Sequence, residues 1–161
     1  MPGADRNAGP RIGFGAARPA DTPQLVELLG LLFTQEAELS PDAEKQRRAL
    51  QIILADPSRA RIYVAREGEA ILAMAALHFT ISTAEGGKVA WFEDCIVRPE
   101  HRRKGIGKAL LEYVIGQAAA EGALRVMLLT DGDNATAQAL YRKSGFRDSA
   151  MLAMRLKLRQ R

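Results

Sequence analysis

One short stretch, residues 97 to 118, restricts the fold of this chain more than any other. It reads V-R-P-E-H-R-R-K-G-I-G-K-A-L-L-E-Y-V-I-G-Q-A and follows an apolar run. Pro99 ends that run as a strand, because proline lacks the amide that a strand ladder needs. Beyond Gly105, apolar residues recur at helical spacing, at Ile106, Leu110, Val114 and Ala118. The pattern predicts a strand, a glycine turn and a helix, in that order.

The start of this predicted helix has the properties of an anion site. The first turn of a helix leaves amides without backbone partners, and the helix dipole makes that end positive. Glycine lacks the Cβ that would hold a ligand away, so successive amides form a nest for a phosphate. The surrounding positive charges are those of Arg102, Arg103, Lys104 and Lys108. A glycine turn that only begins a helix explains the same residues.

Two common phosphate loops do not fit these residues. A Walker loop requires glycine where this chain has Arg102, and serine or threonine where it has Ala109. A dinucleotide fingerprint requires a third glycine at the position of Leu110. What fits is R-x-x-G-x-G, residues 102 to 107, after V-x-P. This motif resembles the acyl-CoA pyrophosphate loop of the GNAT acetyltransferase superfamily.

A second pattern lies downstream, between residues 130 and 147. Taken alone, it predicts a helix that is capped by Asp133 or Asn134 and ends before Gly145. The pattern N-x-x-A-x-x-L-Y-x-x-x-G-F also resembles the second hallmark of the same superfamily, at the expected distance after the first. Its members are Asn134, Ala137, Leu140, Tyr141, Gly145 and Phe146. The resemblance covers residues 89–146 by motif and 11–158 by the order of elements.

The predicted elements give the same fold class. Helices are predicted over 21–37, 41–55, 107–121 and 134–144, with Asp21 as the N-cap of the first. Strands are predicted over 11–17, 61–66, 71–83, 88–97, 124–129, 146–148 and 151–158. Strands 88–97 and 124–129 flank a helix and should be parallel, whereas the other pairs should be antiparallel. We therefore expect an α/β (α+β) GNAT fold: a mixed sheet with helices on both faces, in one domain over 11–161 after a flexible tail, 1–10.

Composition bounds the function classes. The chain has 161 residues, 47% of them hydrophobic and 26% charged, as in an ordinary globular domain. No apolar run approaches the ~20 residues that span a bilayer, and the first ten residues lack a secretory core. The single cysteine, Cys95, fits a reducing compartment, so we expect a cytoplasmic protein. Cys95 and two scattered histidines have no metal-ligand spacing, so no metal is expected.

The resemblance implies a reaction: acetyl transfer from acetyl-CoA, a co-substrate, to a primary amine in a ternary complex. It implies that Tyr141 protonates the leaving thiolate, although a core tyrosine explains that residue too. It also implies that Asn134 binds the cofactor, although an N-cap explains it as well. The implied cofactor-binding residues are Cys95, Ile96, Val97, Arg102, Arg103, Lys104, Gly105, Ile106, Gly107, Lys108, Asn134, Ala137 and Tyr141.

Two carboxylates are candidates for the general base. Glu93 and Asp94 interrupt an otherwise apolar strand, W-F-E-D-C-I-V. Strand residues alternate between faces, so one carboxylate should face the cleft, and an interior carboxylate is costly without a partner. A bulge or an edge position that leaves both in water is the alternative. Cys95 has no histidine placed to activate it and is interpreted as a small buried hydrophobe.

The wording F-E-D-x-x-V-x-P-E-x-R-x-x-G-I-G is similar to polyamine/diamine and thialysine acetyltransferases, in which the residue at position 93 is the suggested base. Arg103 departs from that pattern, since those enzymes usually have glycine there, and this difference is expected to crowd the turn. The acceptor itself carries no readable motif. We expect a small amine and no membrane or nucleic-acid partner, and the resemblance is compatible with a homodimer. The alternatives are a protein or peptide acceptor, a non-catalytic CoA-binding module, and a nucleic-acid binder that uses residues 98–108.

Overall fold

The structure, a computed structural model, describes residues 11–36 and 38–158 of the chain. The chain divides into two compact units, one ending at Leu128 and one beginning at Leu129, and each is described by itself. The predicted tail, residues 1–10, and the predicted last residue of the first helix, Ala37, lie outside the described residues. A single domain over 11–161 stays a prediction.

The first unit holds a five-stranded sheet and three α-helices. The strands are β1 (Gly13–Ala16), β2 (Ala60–Glu67), β3 (Ala70–Ser82), β4 (Gly87–Val97) and β5 (Val126–Leu128). They lie in chain order, and only the β4–β5 pair is parallel. The helices are α1 (Thr22–Gln35), α2 (Ala43–Ala55) and α3 (Ile106–Ala120). None of the helices in the described ranges has the length and apolar character needed to cross a bilayer.

The helices of the first unit cover both faces of the sheet. Ile62 and Val64 of β2 belong to one buried cluster with Leu25 of α1 and Leu50 of α2. Tyr63, between them in sequence, points to the other face and meets the Tyr113 ring of α3 at 5.8 Å. The predicted mixed sheet with helices on both faces is therefore confirmed, and so is the parallel β4–β5 pair.

The start of α1 differs from its prediction as a helix cap. Asp21 precedes the helix, but its carboxylate makes no capping bond. Instead, Oδ2 accepts hydrogen bonds of 2.7 Å from both Arg66 Nη2 and the Arg18 amide. Burial acts to raise the pKa of Asp21, but the bonds from Arg66 and Arg18 outweigh it, so the pKa lies below its ordinary value. The residue thus joins α1 to β2.

The long β3–β4 hairpin contains a bulge. The strands pair in one register from Ser82–Gly87 to Ala76–Glu93. The register has shifted by the next pair, Met74–Ile96, so that two residues of β4, Asp94 and Cys95, lie opposite one of β3. Asp94 has a φ of 52°, in the left-handed region that residues other than glycine rarely adopt. The bulge that sequence analysis left as an alternative is present.

The second unit contains α4 (Ala135–Lys143). The predicted strands over 146–148 and 151–158 are wrong for the described residues, which contain no strand after β5. The segment 151–158 has the alternating pattern, but a strand also needs a neighbour to complete its hydrogen bonds. Its apolar side chains are exposed, Met154 by 96%. β5 is also shorter than the predicted 124–129, although the backbone of Leu124 and Arg125 is already hydrogen-bonded to β4.

Candidate functional site

The turn before α3 leaves a run of amides free. Gly105 is the N-cap of α3, with a φ of 79° and no side-chain capping bond. The first backbone bond of the helix runs from the Ala109 amide to the Gly105 carbonyl, at 3.0 Å. The amides of residues 103 to 108 therefore donate to no group in the described part of the chain. This arrangement can accept an anion with several oxygens.

Two of the four basic side chains around this turn have hydrogen-bond or ion-pair partners. Arg102 Nε donates to the Val97 carbonyl at 3.1 Å, and its Nη2 donates to Gln35 Oε1 at 3.3 Å. Lys108 pairs with Glu112 at 2.6 Å. The turn is thus tied to the end of β4 and to the last residue of α1.

The end of β4 and the start of α3 approach each other closely. A Cβ added at Gly107 would lie 3.3 Å from Val97 Cγ2, which is tighter than most such contacts. A larger residue at this position would therefore have to displace Val97. Close approach, rather than unusual backbone geometry, explains the second glycine of the motif.

β4 has an open edge where β5 ends. Pairing between the two strands stops at Phe92–Leu128, so within the first unit no strand lies beside the remainder of β4 on that side. The Ala90 amide donates to the Arg125 carbonyl, which directly precedes β5, whereas the Arg98 amide donates to the Leu72 carbonyl of β3. Counting alternate residues from both ends directs the amides of 94, 95 and 97 to the open edge, two of them adjacent because of the bulge.

The two candidate bases have different surroundings. Glu93 pairs across with Ala76, a member of the core beneath α1 and α2, so it lies on that face, and its side chain is 50% exposed. Burial raises the pKa of Asp94, the charge of Glu93 raises it further, and His78 acts in the opposite direction. Glu93 is therefore the more exposed of the two carboxylates, and Asp94 is the one whose charged form is disfavoured.

Cys95 and His78 complete this region. Burial, then the charge of Asp94, raises the pKa of the Cys95 thiol to about 12, so it stays protonated at neutral pH. His78 Nε2 lies 3.8 Å from Glu93 Oε2. The sequence analysis considered His78 only as one of two scattered histidines without metal-ligand spacing. The signal that would have found it is the hairpin register, because Ser82–Gly87 pairing places His78 opposite Trp91 and diagonal to Glu93.

The remaining predicted site residues lie in the second unit. Asn134 caps α4, with its Oδ1 accepting the Ala137 amide at 3.1 Å, so the capping interpretation is confirmed. The Tyr141 ring meets Phe146 edge-on at 5.9 Å. Gly145 follows the helix with a φ of 96°, the left-handed turn that glycine favours. These contacts stabilise α4 and its ends. Cofactor binding by Asn134, Ala137 and Tyr141 remains a prediction.

The comparisons with known proteins agree with the geometry. The Acetyltransferase (GNAT) family matches residues 12–146. The match extends over both motifs and every strand, so the chain belongs to this family. The expected family and fold are therefore confirmed.

Several relatives are similar to parts or most of the chain. It is 30% identical over 152 residues to streptothricin acetyltransferase of Streptomyces lavendulae, covering 83% of this chain and 80% of that protein. It is 44% identical over 55 residues to mycothiol acetyltransferase of Clavibacter michiganensis, but those residues span only 18% of that protein and 34% of this chain. It is 36% identical over 55 residues to the [ribosomal protein bS18]-alanine N-acetyltransferase of Escherichia coli, covering 37% of that protein and 34% of this chain.

A solved structure shows the same fold. A protein of Clostridium acetobutylicum described as a "predicted acetyltransferase" was solved with acetyl-CoA and superposes with a TM-score of 0.75. The two chains are 20% identical, and the match covers 92% of this chain and 96% of that one.

Proposed function

We propose that the chain is an acetyl-CoA-dependent N-acetyltransferase that acetylates a primary amine of a small molecule by direct attack. The observation that carries the proposal is the pairing of two features in one unit: free amides at the start of α3 and the open, bulged edge of β4. Both are features of the backbone, and the Gly107–Val97 approach brings them together. Family membership and the acetyl-CoA-bound relative support the same donor.

The α3 turn is the proposed diphosphate site. Amides of residues 103 to 108 would donate to the diphosphate oxygens, and Arg103 and Lys104, which have no ion pair in the described ranges, would add positive charge. The Val97 amide, on the open edge of β4, would donate to a carbonyl of the amide-containing arm of the donor. Asn134, Ala137 and Tyr141 remain proposed contacts of the same donor.

The acceptor needs a base before it can react. A free alkylamine has a pKa near 10.4, so forming its neutral state at pH 7 costs about 4.6 kcal/mol. Glu93 lies on the solvent-exposed side of the bulge and can take that proton directly or through a water. Asp94 is a poorer candidate, because its side chain is more buried and is less accessible to an incoming amine or a bridging water.

The bulge also suits charge stabilisation. The adjacent amides of Asp94 and Cys95, both directed to the open edge, would donate to the oxyanion that forms when the amine attacks the thioester. The Cys95 thiol stays protonated, which opposes an acetylated-cysteine intermediate and favours direct transfer. Tyr141 is the proposed donor of a proton to the leaving thiolate.

The class of acceptor is open to a direct test. A panel of amines with acetyl-CoA, followed by release of free thiol, would include spermidine, diamines, thialysine and an aminoglycoside-like polyamine. The relatives named for streptothricin and for an alanine of ribosomal protein bS18 give two further arms, streptothricin itself and an alanine peptide of that ribosomal protein. We expect turnover with a small amine and its loss in Glu93→Gln, by about 100-fold in kcat/KM.

Other results would favour the alternatives. Acetylation of the peptide alone would indicate a protein acceptor. Acetyl-CoA binding with no turnover of any amine would indicate a non-catalytic binding module. Turnover unchanged in Tyr141→Phe would remove the proposed proton donor while leaving the transferase function in place.

A further inference from the structure

A histidine and a carboxylate share one face of the β3–β4 hairpin. Ala76 pairs with Glu93 and His78 pairs with Trp91, so the His78 and Glu93 side chains are diagonal neighbours on the face that α1 and α2 cover. Nε2 and Oε2 are 3.8 Å apart, about 1 Å longer than a hydrogen bond. Both side chains are partly exposed, His78 by 35% and Glu93 by 50%. A proton on either group therefore has a route to solvent.

The charged groups around His78 are few. On β4 they are Glu93 and Asp94. The charges of both Glu93 and His78 act on the pKa of Asp94. On the β2 side its partner is Ala60, and the preceding Arg59 pairs with Asp56 at the end of α2, at 3.8 Å.

The acidic residues of α1 and of the segment after it have interactions of their own. The one ionisable side chain of α1, Glu27, is held by Arg98 at 3.1 Å. Glu36 and Glu38, which follow α1, have interactions of their own. In the hydrogen bonds and ion pairs of the described residues, Glu93 is the nearest acidic partner of His78.

We propose that His78 is a positioning and proton-relay residue for the transferase reaction, acting through Glu93. This inference rests on the proposed function. Acetylation of an ammonium removes two protons from nitrogen: one ends on the departing thiol, and one is released. The released proton passes from the ammonium to the Glu93 carboxylate, then to Nε2 of His78, and from the exposed imidazole to water. The N–C bond forms and the C–S bond breaks without any other reactant.

The imidazole would help the proton to pass from the carboxyl group to water. A carboxylate with an ordinary pKa near 4 is a weak base for an ammonium, and it must be emptied again before the next turnover. An imidazole ordinarily titrates near pH 6.5, between a carboxylate and an amine, so it can take the proton from the carboxyl and release it at neutral pH. Glu93 remains the group that touches the acceptor, and His78 does not.

The kinetic test uses the two histidines of the chain as a matched pair. His78→Gln should lower kcat for the best acceptor by about tenfold and change the acidic limb of its pH profile, while the KM for acetyl-CoA stays the same. His101 precedes the α3 turn, and His101→Gln should leave both kcat and its pH profile unchanged. Added imidazole should restore part of the rate to His78→Ala, because it can enter the space left by the side chain. A wild-type rate and pH profile in His78→Gln would overturn the proposal.

An NMR measurement tests the pair without turnover. The two imidazole Cε1–H signals are assigned with the His101→Gln variant. Glu93→Gln should move the His78 signal over pH 5 to 8 and leave the His101 signal in place. An unmoved His78 signal would contradict the pair even if no acceptor were found. Failure of the proposed function would look different: a wild-type enzyme that acetylates no amine, whatever the spectrum shows.

Discussion

Two helices of the first unit begin in opposite ways. The start of α1 is closed by its own chain: Asp21 is 3% exposed and bonded by Arg66 and Arg18. The start of α3 has glycine in place of a capping side chain and leaves its first amides unpaired. Positive helix ends attract negative charge in both cases. At α1 the chain supplies that charge itself, whereas at α3 it leaves the position for a ligand.

The largest effect on stability should come from replacing Asp21 at the start of α1. Asp21→Asn removes a buried carboxylate and leaves Arg66 without its partner, which should cost about 3 kcal/mol of unfolding free energy. Because the folded pKa of Asp21 is lowered, its stabilisation is complete above the ordinary value of 3.8 and is lost as pH falls through the folded value. Urea unfolding of wild type and variant at pH 7 and at low pH would measure the difference in their unfolding free energies, which should be smaller in acid.

The same variant also separates the two helix starts. Asp21→Asn should leave acetyl-CoA affinity unchanged at temperatures where it is folded, since Asp21 lies away from the α3 turn. A large loss of affinity in a folded sample would show that the two starts are not independent.

A smaller effect is expected at the open start, where Arg103 has a φ of 59°. Glycine adopts this conformation without strain, so Arg103→Gly should raise the unfolding free energy by up to about 1 kcal/mol. Arg103→Asn is the matched control, because it also removes the charge and tolerates the left-handed region. Thermal melts in which both variants are destabilised would contradict a strained arginine.

The smallest effect is expected at the bulge. The pKa of Asp94 is raised by burial and by Glu93, so its ionisation destabilises the fold as pH rises through that value. Asp94→Asn removes the penalty and keeps a residue that tolerates a positive φ. The variant should melt at a higher temperature than wild type at pH 8, and the difference should narrow as the pH falls towards the ordinary carboxyl value of 3.8. A difference that widens in acid would reverse the sign of the argument.

Much of this contrast could be predicted from the sequence, because the signals are local. The strand–glycine–helix pattern fixed the α3 turn, and Gly145 marked the end of α4. Asp21 stands at the predicted N-cap position, but its bond to Arg66 could not be predicted, because the two residues are 45 positions apart. The bulge at Asp94 depends on how β3 and β4 align, which no residue of β4 reports alone. The wrong C-terminal strands show that alternation predicts a strand only where a neighbour is available.

His78 lies between these cases. Its distance from Glu93 is not a sequence signal, but the predicted strands 71–83 and 88–97 already defined a hairpin with its turn between them. Counting outward from that turn would have placed the two side chains on one face. The register of a hairpin is thus a usable source of candidate site residues.

The central claim is that the free amides of the α3 turn bind the diphosphate of acetyl-CoA. Calorimetry of acetyl-CoA with wild type, Gly105→Asn and Gly105→Asp tests it directly, because Asn and Asp both tolerate the left-handed backbone and differ in charge. A carboxylate about 4 Å from a phosphate costs on the order of 1–4 kcal/mol. We predict binding to wild type and an affinity at least about tenfold lower for Gly105→Asp than for Gly105→Asn. Equal affinities of the two variants, or no binding heat with wild type, would contradict the claim.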